Sequence, residues 1–433
     1  MKYRSTEKQA PLASLRDAVM RGLAPDGGLY MPEEIPCHST ETLEEFRRLP
    51  FTEVCFRVVQ PFVGAEVPDQ ESRRIVSEAI NFPVTLVSLS PELNLLELFH
   101  GPTLAFKDFG ARFMARLMGY FVRGETRELT VLVATSGDTG SAVAHGFLRV
   151  PGIRVVILYP SKRVTAAQES QFTTLGENIS ALEVAGTFDD CQRLVKEAFS
   201  DAALNSQMLL TSANSINIAR LLPQMFYYFS AWLQLPIHAH DFIVSVPSGN
   251  FGNLTAGLLA KRAGLPITRF IASTNVNDSV PEYLRTGIFR ARPAIATYSN
   301  AMDVGNPSNF ARVMDLCENR LEVAQREIWP YSATNEETLQ GMKSLHDRFG
   351  YTADPHTAVG VLGWQAYERQ MGDGKQGVAL STAHPAKFAE VVKLAIGESP
   401  TLPESLVERL KLQAHSVSIS NRYESLREVL RSP

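Results

Sequence analysis

The sequence has few cysteines, no long apolar run and no excess of positive charge. Cysteine occurs at only four of the 433 positions, Cys37, Cys55, Cys191 and Cys317, and no two of them form a C-x-x-C pair. This spacing argues against both a disulfide framework and a zinc site. We therefore expect free thiols in a reducing compartment and no bound metal.

Long apolar segments are also missing. No run approaches the roughly 18 apolar residues that a membrane-spanning helix needs. The first residues, MKYRSTEKQAPLASLRD, are polar and charged and lack the apolar core of a signal peptide. These features predict a cytoplasmic protein with no membrane partner.

The balance of charge bears on the class of partner. Lysine and arginine total 42, and aspartate and glutamate total 46, which gives a formal net charge of −4. A protein that mainly grips nucleic acid needs a basic face. The composition, with 45% apolar and 20% charged residues, is instead that of an ordinary globular protein. We therefore expect a small-molecule partner and no nucleic acid.

The order of patterns along the chain predicts three domains. Residues 1–90 show helical spacing and predict a mainly helical N-terminal domain. Beyond them, short β-branched runs alternate with helical patterns, which indicates an α/β fold of parallel sheets with flanking helices. We expect one α/β domain over 91–235 and a second over 236–433, which ends in charged helices. The predicted strands are Thr130–Ala134, Ile153–Leu158, Phe242–Val246, Ile267–Ser273 and Val378–Ser381.

The segment FHGPTLAFKDFG (99–110) contains a lysine in an apolar setting. Leu104, Phe106 and Phe109 crowd Lys107. An ammonium drawn into such a place loses hydration, so its pKa falls. A Schiff-base lysine requires that shift. The alternatives for this segment are a buried ion pair or turn with Asp108 and an ordinary solvated lysine.

The segment VATSGDTGS (133–141) joins a predicted strand to a predicted helix. Free N–H groups at the start of a helix make an anion site. The hydroxyls of Thr135, Ser136 and Thr139 add donors, so a substrate carboxylate would fit here. Because Ser, Thr and Asp are also good N-caps, simple helix capping is the alternative.

A second glycine-rich loop, VPSGNFGN (246–253), also lies between a strand and a helix. Gly249 and Gly252 let the backbone approach a ligand, and successive N–H groups form a nest that suits a phosphate. The segment is neither a P-loop nor a G-x-G-x-x-G fingerprint. Its placement between strand and helix is what favours a phosphate site over a plain turn.

The segment NSINIAR (214–220) carries amides and an arginine. Asn214, Asn217 and Arg220 share one face if the segment is helical. An arginine with amide neighbours is suited to a phosphate. A polar helix face with an exposed arginine is the alternative.

The combination is more informative than any single motif. Two anion loops, a crowded lysine and an Arg/Asn cluster suit a phosphorylated substrate that carries a carboxylate. They also suit pyridoxal phosphate, which needs a Schiff-base lysine, a phosphate cup and a group that faces its pyridine nitrogen. A non-catalytic protein that binds an anionic metabolite would keep the loops without needing Lys107.

The motifs, in this order, resemble those of threonine synthases of the bacterial and fungal subclass with a long N-terminal region. The resemblance runs from GLAPDGGLYMPEEIP (22–36) through HGPTLAFKD, TSGDTG, SANSINIAR, SGNFGN, TNVNDSVP and SNAMDVGNP to STAHPAKF (381–388). It implies the tryptophan-synthase-β-like fold, fold type II, with pyridoxal 5′-phosphate as the cofactor.

The resemblance assigns roles to individual residues. It implies that Lys107 forms the Schiff base, that Thr382 faces the pyridine nitrogen, and that Asn214 and Arg220 hold a substrate phosphate. The implied cofactor-phosphate loop is Ser248, Gly249, Asn250, Phe251 and Gly252, and the implied substrate-carboxylate loop is Thr135, Ser136, Gly137 and Thr139.

Asp138 departs from the pattern of the family. Many relatives carry Asn at this position, with the amide near the 3-oxygen of the cofactor. An anionic carboxylate would repel a phenolate, so we expect Asp138 either to point away or to share a proton.

The reaction implied by the resemblance is the conversion of O-phospho-L-homoserine and water to L-threonine and phosphate, a step of threonine biosynthesis catalysed by a carbon–oxygen lyase. Lys107 would remove the proton at Cα, and the enzyme would be a monomer. Two alternatives keep the cofactor: a phospho-lyase that releases 2-oxobutyrate from the same substrate, and a serine or threonine deaminase.

Overall fold

The N-terminal part of the chain is mainly helical. The structure, a computed structural model, describes residues 1–135, 137–236, 241–372 and 374–431. Two short strands, β1 (Tyr3–Ser5) and β2 (Tyr30–Pro32), pair antiparallel beside the helices. The helices are α1 (Leu15–Arg21), α2 (Thr40–Phe46), α3 (Phe51–Val63) and α4 (Asp69–Ala79). Their apolar faces join the main hydrophobic core, which holds this region against the rest of the molecule.

The middle of the chain alternates strands with helices. Its elements are β3 (Thr85–Ser88), β4 (Leu93–Glu97), α5 (Lys107–Phe121), β5 (Leu129–Ala134), α6 (Asp138–Phe147), β6 (Ile153–Pro160), α7 (Ala166–Thr173), β7 (Ile179–Ala185), α8 (Phe188–Ser200), α9 (Ala202–Gln207), β8 (Leu209–Ser212), α10 (Ile218–Leu221) and α11 (Met225–Gln234). Every residue of β5 is buried, as expected for a parallel strand covered by helices on both faces.

The same alternation continues beyond residue 241. The elements there are β9 (Phe242–Pro247), α12 (Gly252–Arg262), β10 (Ile267–Thr274), α13 (Ser279–Thr286), α14 (Phe310–Leu316), α15 (Leu321–Glu327), β11 (Ile328–Ser332), α16 (Asn335–Phe349), α17 (Pro355–Met371), β12 (Gln376–Ser381), α18 (Ala389–Ile396), α19 (Glu404–Leu410), β13 (Val417–Ser420) and α20 (Tyr423–Arg431). Among the described helices, none is long and apolar enough to cross a bilayer.

The larger strands form two sheets. In one, the five strands stand in the order β13, β7, β6, β5, β8, and all neighbours are parallel. In the other, the six strands stand in the order β11, β10, β9, β12, β4, β3, with only β3 antiparallel to its neighbour. The five strands predicted from sequence are all present in these sheets.

Neither sheet comes from one continuous stretch of chain. The early strands β3 and β4 belong to the sheet otherwise built beyond residue 241, and the late strand β13 extends the sheet built from residues 129–212. The sheets therefore cross the boundary that the sequence patterns placed near residue 235. Local patterns of hydrophobicity identify strands, but they do not identify which strands pair.

Candidate active site

Lys107 begins α5, and the segment before it is paired with the segment that follows β12. The N–H of Phe106 donates to the carbonyl of Thr382 over 2.9 Å, and the N–H of His384 donates to the carbonyl of Leu104 over 3.0 Å. These two bonds fix Lys107 beside Thr382, although the two residues are far apart in the sequence.

The surroundings of Lys107 are largely shielded from water and contain both signs of charge. Its side chain is 16% exposed, and its Nζ lies 3.8 Å from Oδ2 of Asp138. Burial lowers the pKa of Lys107, Asp138 opposes that shift, and the positive charges of Lys387 and Arg220 add to it. The net lowering favours the uncharged amine, which is the form that attacks a carbonyl or removes a proton.

Asp138 faces Lys107 from the first turn of α6. Its Oδ1 lies 2.7 Å from Nζ of Lys387 and accepts a hydrogen bond from Nε2 of Gln168 over 2.9 Å. Burial alone would raise the pKa of Asp138, but the two lysine charges and these hydrogen bonds lower it well below its usual range. Asp138 is therefore ionised. It shares no proton, because Lys387 balances its charge, and its orientation relative to the 3-oxygen of the cofactor stays a prediction.

Lys387 is a site residue that the sequence patterns did not single out. It lies in the 3-10 helix Pro385–Phe388, its side chain is fully buried, and its Nζ also donates to the carbonyl of Thr103 over 2.8 Å. The signal that could have found it is the one that drew attention to Lys107, a lysine with apolar residues on both sides.

The loop after β9 forms a backbone cup for an anion. An added Cβ at Gly249 would lie 2.6 Å from the carbonyl oxygen of Ala301, so only glycine fits there. Phe251 adopts a left-handed conformation, with φ of 60°, and α12 begins at the next residue. Within the described ranges, the N–H groups of Gly249, Asn250 and Phe251 donate to no protein acceptor. These donors and the start of α12 suit a phosphate.

Ser248 and Asn250 hold this cup in place. The N–H of Ser248 donates to the carbonyl of Ser273 over 2.8 Å. The side-chain amide of Asn250 donates to Oγ of Ser215 over 2.5 Å, and its oxygen accepts from the N–H of Ser308 over 2.6 Å. Because Ser215 lies in the 214–220 segment, the cup and that segment are neighbours.

The loop between β5 and α6 is shaped by Thr135. Its Oγ1 accepts hydrogen bonds from the N–H groups of Gly137 (3.0 Å) and Gly140 (2.8 Å). The hydroxyl thus holds the loop closed, while the N-cap position of α6 itself is Gly137, which has no side chain to cap the helix. Gly137 has φ of 143°, and Thr139 is partly exposed. Ser136 lies outside the described residues.

Arg220 brings an unpaired positive charge to the site. It is 3% exposed, its Nη1 donates to the carbonyl of Ala213 over 2.5 Å, and its Nε is buried with no hydrogen-bond partner in the described chain. Burial lowers the pKa of Arg220 to about 10, and Asp108 opposes that shift. Gly110 of α5 makes room for this residue, since an added Cβ there would lie 2.7 Å from the Arg220 carbonyl oxygen. A buried guanidinium with an unused donor suits an anion.

Asn214 and Asn217 do not share a helical face with Arg220, because the segment 214–220 does not meet the condition of being one helix. Helix α10 begins only after Asn217, which caps it by accepting from the N–H of Ala219. The amide of Asn217 also donates to the carbonyl of Val19 over 2.8 Å. Asn214 lies in the turn before the cap and is partly exposed. Asn217 therefore has a structural task, and only Asn214 and Arg220 stay available for a ligand.

These groups fit pyridoxal phosphate. Lys107 supplies a shielded amine with a lowered pKa for the aldehyde, and the unpaired N–H groups of the cup suit the phosphate. Thr382, which is 5% exposed, is tied through its backbone carbonyl to the segment before Lys107 and carries a hydroxyl that the ring could use. The donors thus match the aldehyde, the phosphate and the ring of the cofactor.

Fold and site together define the class of protein as a pyridoxal-phosphate dependent enzyme. The family model described as "Pyridoxal-phosphate dependent enzyme" matches residues 84–383. The cofactor predicted from the sequence is thereby confirmed.

Two further family models are more specific: "Threonine synthase N terminus" matches residues 2–80, and "Threonine synthase, C-terminal" matches residues 357–430. A threonine synthase of Escherichia coli is 44% identical over 431 residues, which covers 99% of both chains. One of Saccharomyces cerevisiae is 36% identical over 473 residues, which covers 93% of this chain and 92% of the other. The chain belongs to the threonine synthase family.

Solved structures agree with this assignment. The PLP-bound threonine synthase of Brucella melitensis superposes with a TM-score of 0.95 at 36% identity, covering 100% of this chain and 99% of that chain. The threonine synthase of Escherichia coli gives 0.91 at 43% identity, covering 99% of both. A threonine deaminase of Solanum lycopersicum, at 15% identity and a TM-score of 0.56, shares the fold alone. The predictions of fold type II and of a PLP-dependent lyase in threonine biosynthesis are confirmed, and the matches do not favour the alternative activities.

Proposed function

We propose that this chain converts O-phospho-L-homoserine and water to L-threonine and phosphate through the residues described above. The observation that carries the proposal is Arg220, a buried guanidinium with an unused Nε close enough to Lys107 to shift its pKa. A phosphorylated substrate supplies a second anion, in addition to its carboxylate, for this cation. An unphosphorylated hydroxy-amino acid has only the carboxylate, which the 135–139 loop would bind.

Lys107 has two tasks in this proposal. It attaches the cofactor through Nζ, and it then moves the proton at Cα of the substrate as a general base and acid. Pyridoxal phosphate, when bound, supplies a conjugated electron sink for the pair left on Cα. The lowered pKa of Lys107 favours the uncharged amine that takes this proton.

The cofactor is held at two places. Ser248, Gly249, Asn250, Phe251 and Gly252 bind its phosphate through the cup, and Thr382 faces its pyridine nitrogen. A hydroxyl leaves that nitrogen uncharged, where a carboxylate would favour protonation. Asp138 would stand beside the bound cofactor on the side of Lys107, with its charge balanced by Lys387.

The substrate also binds at two places. Thr135, Ser136, Gly137 and Thr139 form the loop for its carboxylate, where Thr135 shapes the loop and the start of α6 provides N–H donors. Asn214 and Arg220 bind its phosphate. The leaving phosphate carries close to two negative charges, and Arg220 stabilises that charge as it develops.

Product analysis tests the proposal. The purified enzyme is incubated with O-phosphohomoserine, and threonine, 2-oxobutyrate and phosphate are measured together, with Lys107→Ala as the control. We expect threonine and phosphate in equal amounts, both lost in the control. Phosphate accompanied by 2-oxobutyrate would identify a phospho-lyase, and absence of phosphate would remove the substrate assignment and the role of Arg220.

We further propose that the chain is a monomer in the cytoplasm, with neither nucleic acid nor membrane among its partners. The family resemblance and the net charge of −4 support this. Sedimentation of the purified protein at several concentrations tests the monomer.

We also propose three domains, near 1–90, 91–235 and 236–433. In this division, each of the two α/β domains contributes strands to the sheet of the other.

A further inference from the structure

Lys387 is a second lysine beside the site, and its burial needs an explanation. The side chain is 0% exposed, yet it carries an ammonium whose desolvation is costly. Two acceptors compensate this cost: Oδ1 of Asp138 at 2.7 Å and the carbonyl of Thr103 at 2.8 Å. Neither contact is with Lys107, so Lys387 acts on Lys107 through its charge and through the position of Asp138.

The two oxygens of Asp138 have different surroundings. Oδ1 is occupied by Lys387 and by Gln168, whose own side-chain oxygen accepts from Thr165. Oδ2 faces Nζ of Lys107 at 3.8 Å, which is longer than a hydrogen bond. The carboxylate is thus anchored through Oδ1, the oxygen that does not face Lys107. Its ion pair with Lys387 is shorter than its ion pair with Lys107.

We propose that Lys387 is a positioning residue that keeps Lys107 an uncharged amine, because it anchors Asp138 by Oδ1 and balances its charge. This inference rests on the proposed role of Lys107 as the residue that attaches the cofactor. Without Lys387, Asp138 is an unbalanced buried anion next to Lys107. It then attracts a proton to Lys107, and an ammonium can neither attack an aldehyde nor remove a proton.

Four charged groups face Lys107 from the elements packed around it. Asp138 on α6 and Asp354 at the cap of α17 favour the ammonium, whereas Lys387 and Arg220 oppose it. Arg220 cannot take the place of Lys387. In the described chain it contacts the carbonyl of Ala213 and not Asp138. Of the two opposing cations, only Lys387 touches Asp138 directly.

The rate at which Lys107 condenses with added pyridoxal phosphate reports its protonation without any turnover. The full chain is stripped of cofactor, and the rise of Schiff-base absorbance is followed from about pH 6 to about pH 10, below the ordinary lysine pKa of about 10.4. For Lys387→Met we expect the midpoint of the rate profile to rise by about one pH unit and the rate near neutral pH to fall about tenfold. The matched control is Lys343→Met, which removes an exposed Lys–Asp pair of 2.9 Å and should leave the profile unchanged.

Two further variants keep the test decisive if Lys387→Met folds poorly. Asp138→Asn should move the midpoint down, because the attraction on Lys107 is gone. Asp138→Asn combined with Lys387→Met, which removes both charges, should return it close to the wild type. An unchanged midpoint in Asp138→Asn, or a wild-type profile in a folded Lys387→Met, overturns the inference.

A structural role alone would lower the melting temperature without moving the midpoint, and that outcome also overturns the inference. Lys107→Ala serves as the blank for absorbance. Failure of the proposed function would instead show in the wild type, as absorbance that Lys107→Ala does not abolish or as missing product.

Discussion

Buried charges make this site sensitive to conservative substitutions. In the described part of the chain, Nε of Arg220 has no hydrogen-bond partner. Lys387 and Asp138 form a buried ion pair. An arginine offers a planar fork of donors, whereas a lysine of similar length offers one point charge. The shape of the charge at Arg220, and not only its sign, should therefore matter for a phosphate ligand.

For Arg220→Lys we expect kcat/KM for O-phosphohomoserine to fall by roughly 30- to 150-fold, equivalent to about 2–3 kcal/mol of lost charge-assisted hydrogen bonding. Steady-state phosphate release measures it. Arg21→Lys, at an exposed helix end, is the control. Equal kcat/KM values in Arg220→Lys and the wild type would contradict a fork-shaped phosphate contact.

His384 should make the protein lose stability as the pH falls from about 6.5 to about 4. Burial first, and then the neighbouring His100, lowers the pKa of His384 to about 4. Because the folded pKa lies below the unfolded value of about 6.5, the unfolded chain binds the proton first. The stability from the neutral ring is complete above that unfolded value, and it is lost as the pH approaches the folded one.

Denaturant unfolding at several pH values measures this effect. We expect His384→Asn, whose side-chain oxygen can still accept from the N–H of Ala386, to lose on the order of 2 kcal/mol less than the wild type between these pH values. The exposed His415→Asn is the control. Parallel stability curves for the wild type and His384→Asn would rule out His384 as the source.

At the scale of elements, the strand-to-helix loops carry the site and explain what sequence could predict. The loops at 133–141 and 246–253 follow buried β-branched strands, so their position was predictable from local patterns. The 214–220 segment could be read from sequence only conditionally, as one face if helical, and the Asn217 cap starts the helix too late for that condition to hold. Strand β13 was missed although VSIS alternates apolar and polar residues, because a run of only four residues is at the lower limit of the strand signal. The Asp138–Lys387 pair joins residues distant in sequence, so no local pattern shows it.

Gly249→Ala should weaken cofactor binding through the shape of the cup. The added methyl would meet the Ala301 carbonyl oxygen at 2.6 Å and Cα of Met302 at 2.8 Å, both of which are backbone. We expect a cost of roughly 1–3 kcal/mol, or about 5- to 150-fold in the dissociation constant of pyridoxal phosphate. Titration of the stripped protein measures it.

The matched control is Gly341→Ala on α16, whose added methyl would meet only the side chain of Leu362. It should bind the cofactor as the wild type does. A Gly249→Ala protein with unchanged affinity would show that the loop can move without loss of the cup.

At the scale of the whole molecule, the late segment that contains β13 and α20 completes a sheet begun much earlier. Ile419, Leu426 and Leu430 belong to the same apolar cluster as Leu182 and Val184 of β7. The stability of the five-stranded sheet should therefore depend on residues that lie far from the site.

Leu426→Ala should lower the free energy of unfolding of the chain by about 2–4 kcal/mol, because it opens a cavity where the side chain is fully buried. Leu412→Ala, at a side chain that is 55% exposed, should change it by less than about 0.5 kcal/mol. Urea unfolding followed by circular dichroism measures both. Similar values for the two variants would mean that this segment is only loosely attached.

The pairing of β13 with β7 also determines when the five-stranded sheet can finish folding during synthesis. Ser418 and Glu183, on these two strands, hydrogen-bond across 235 residues of sequence. Until residue 420 has left the exit tunnel, β7 presents an uncovered edge to solvent, and such an edge recruits strands from other nascent chains. Synthesis that is slow or arrested before that point should therefore yield aggregates rather than a shorter folded protein.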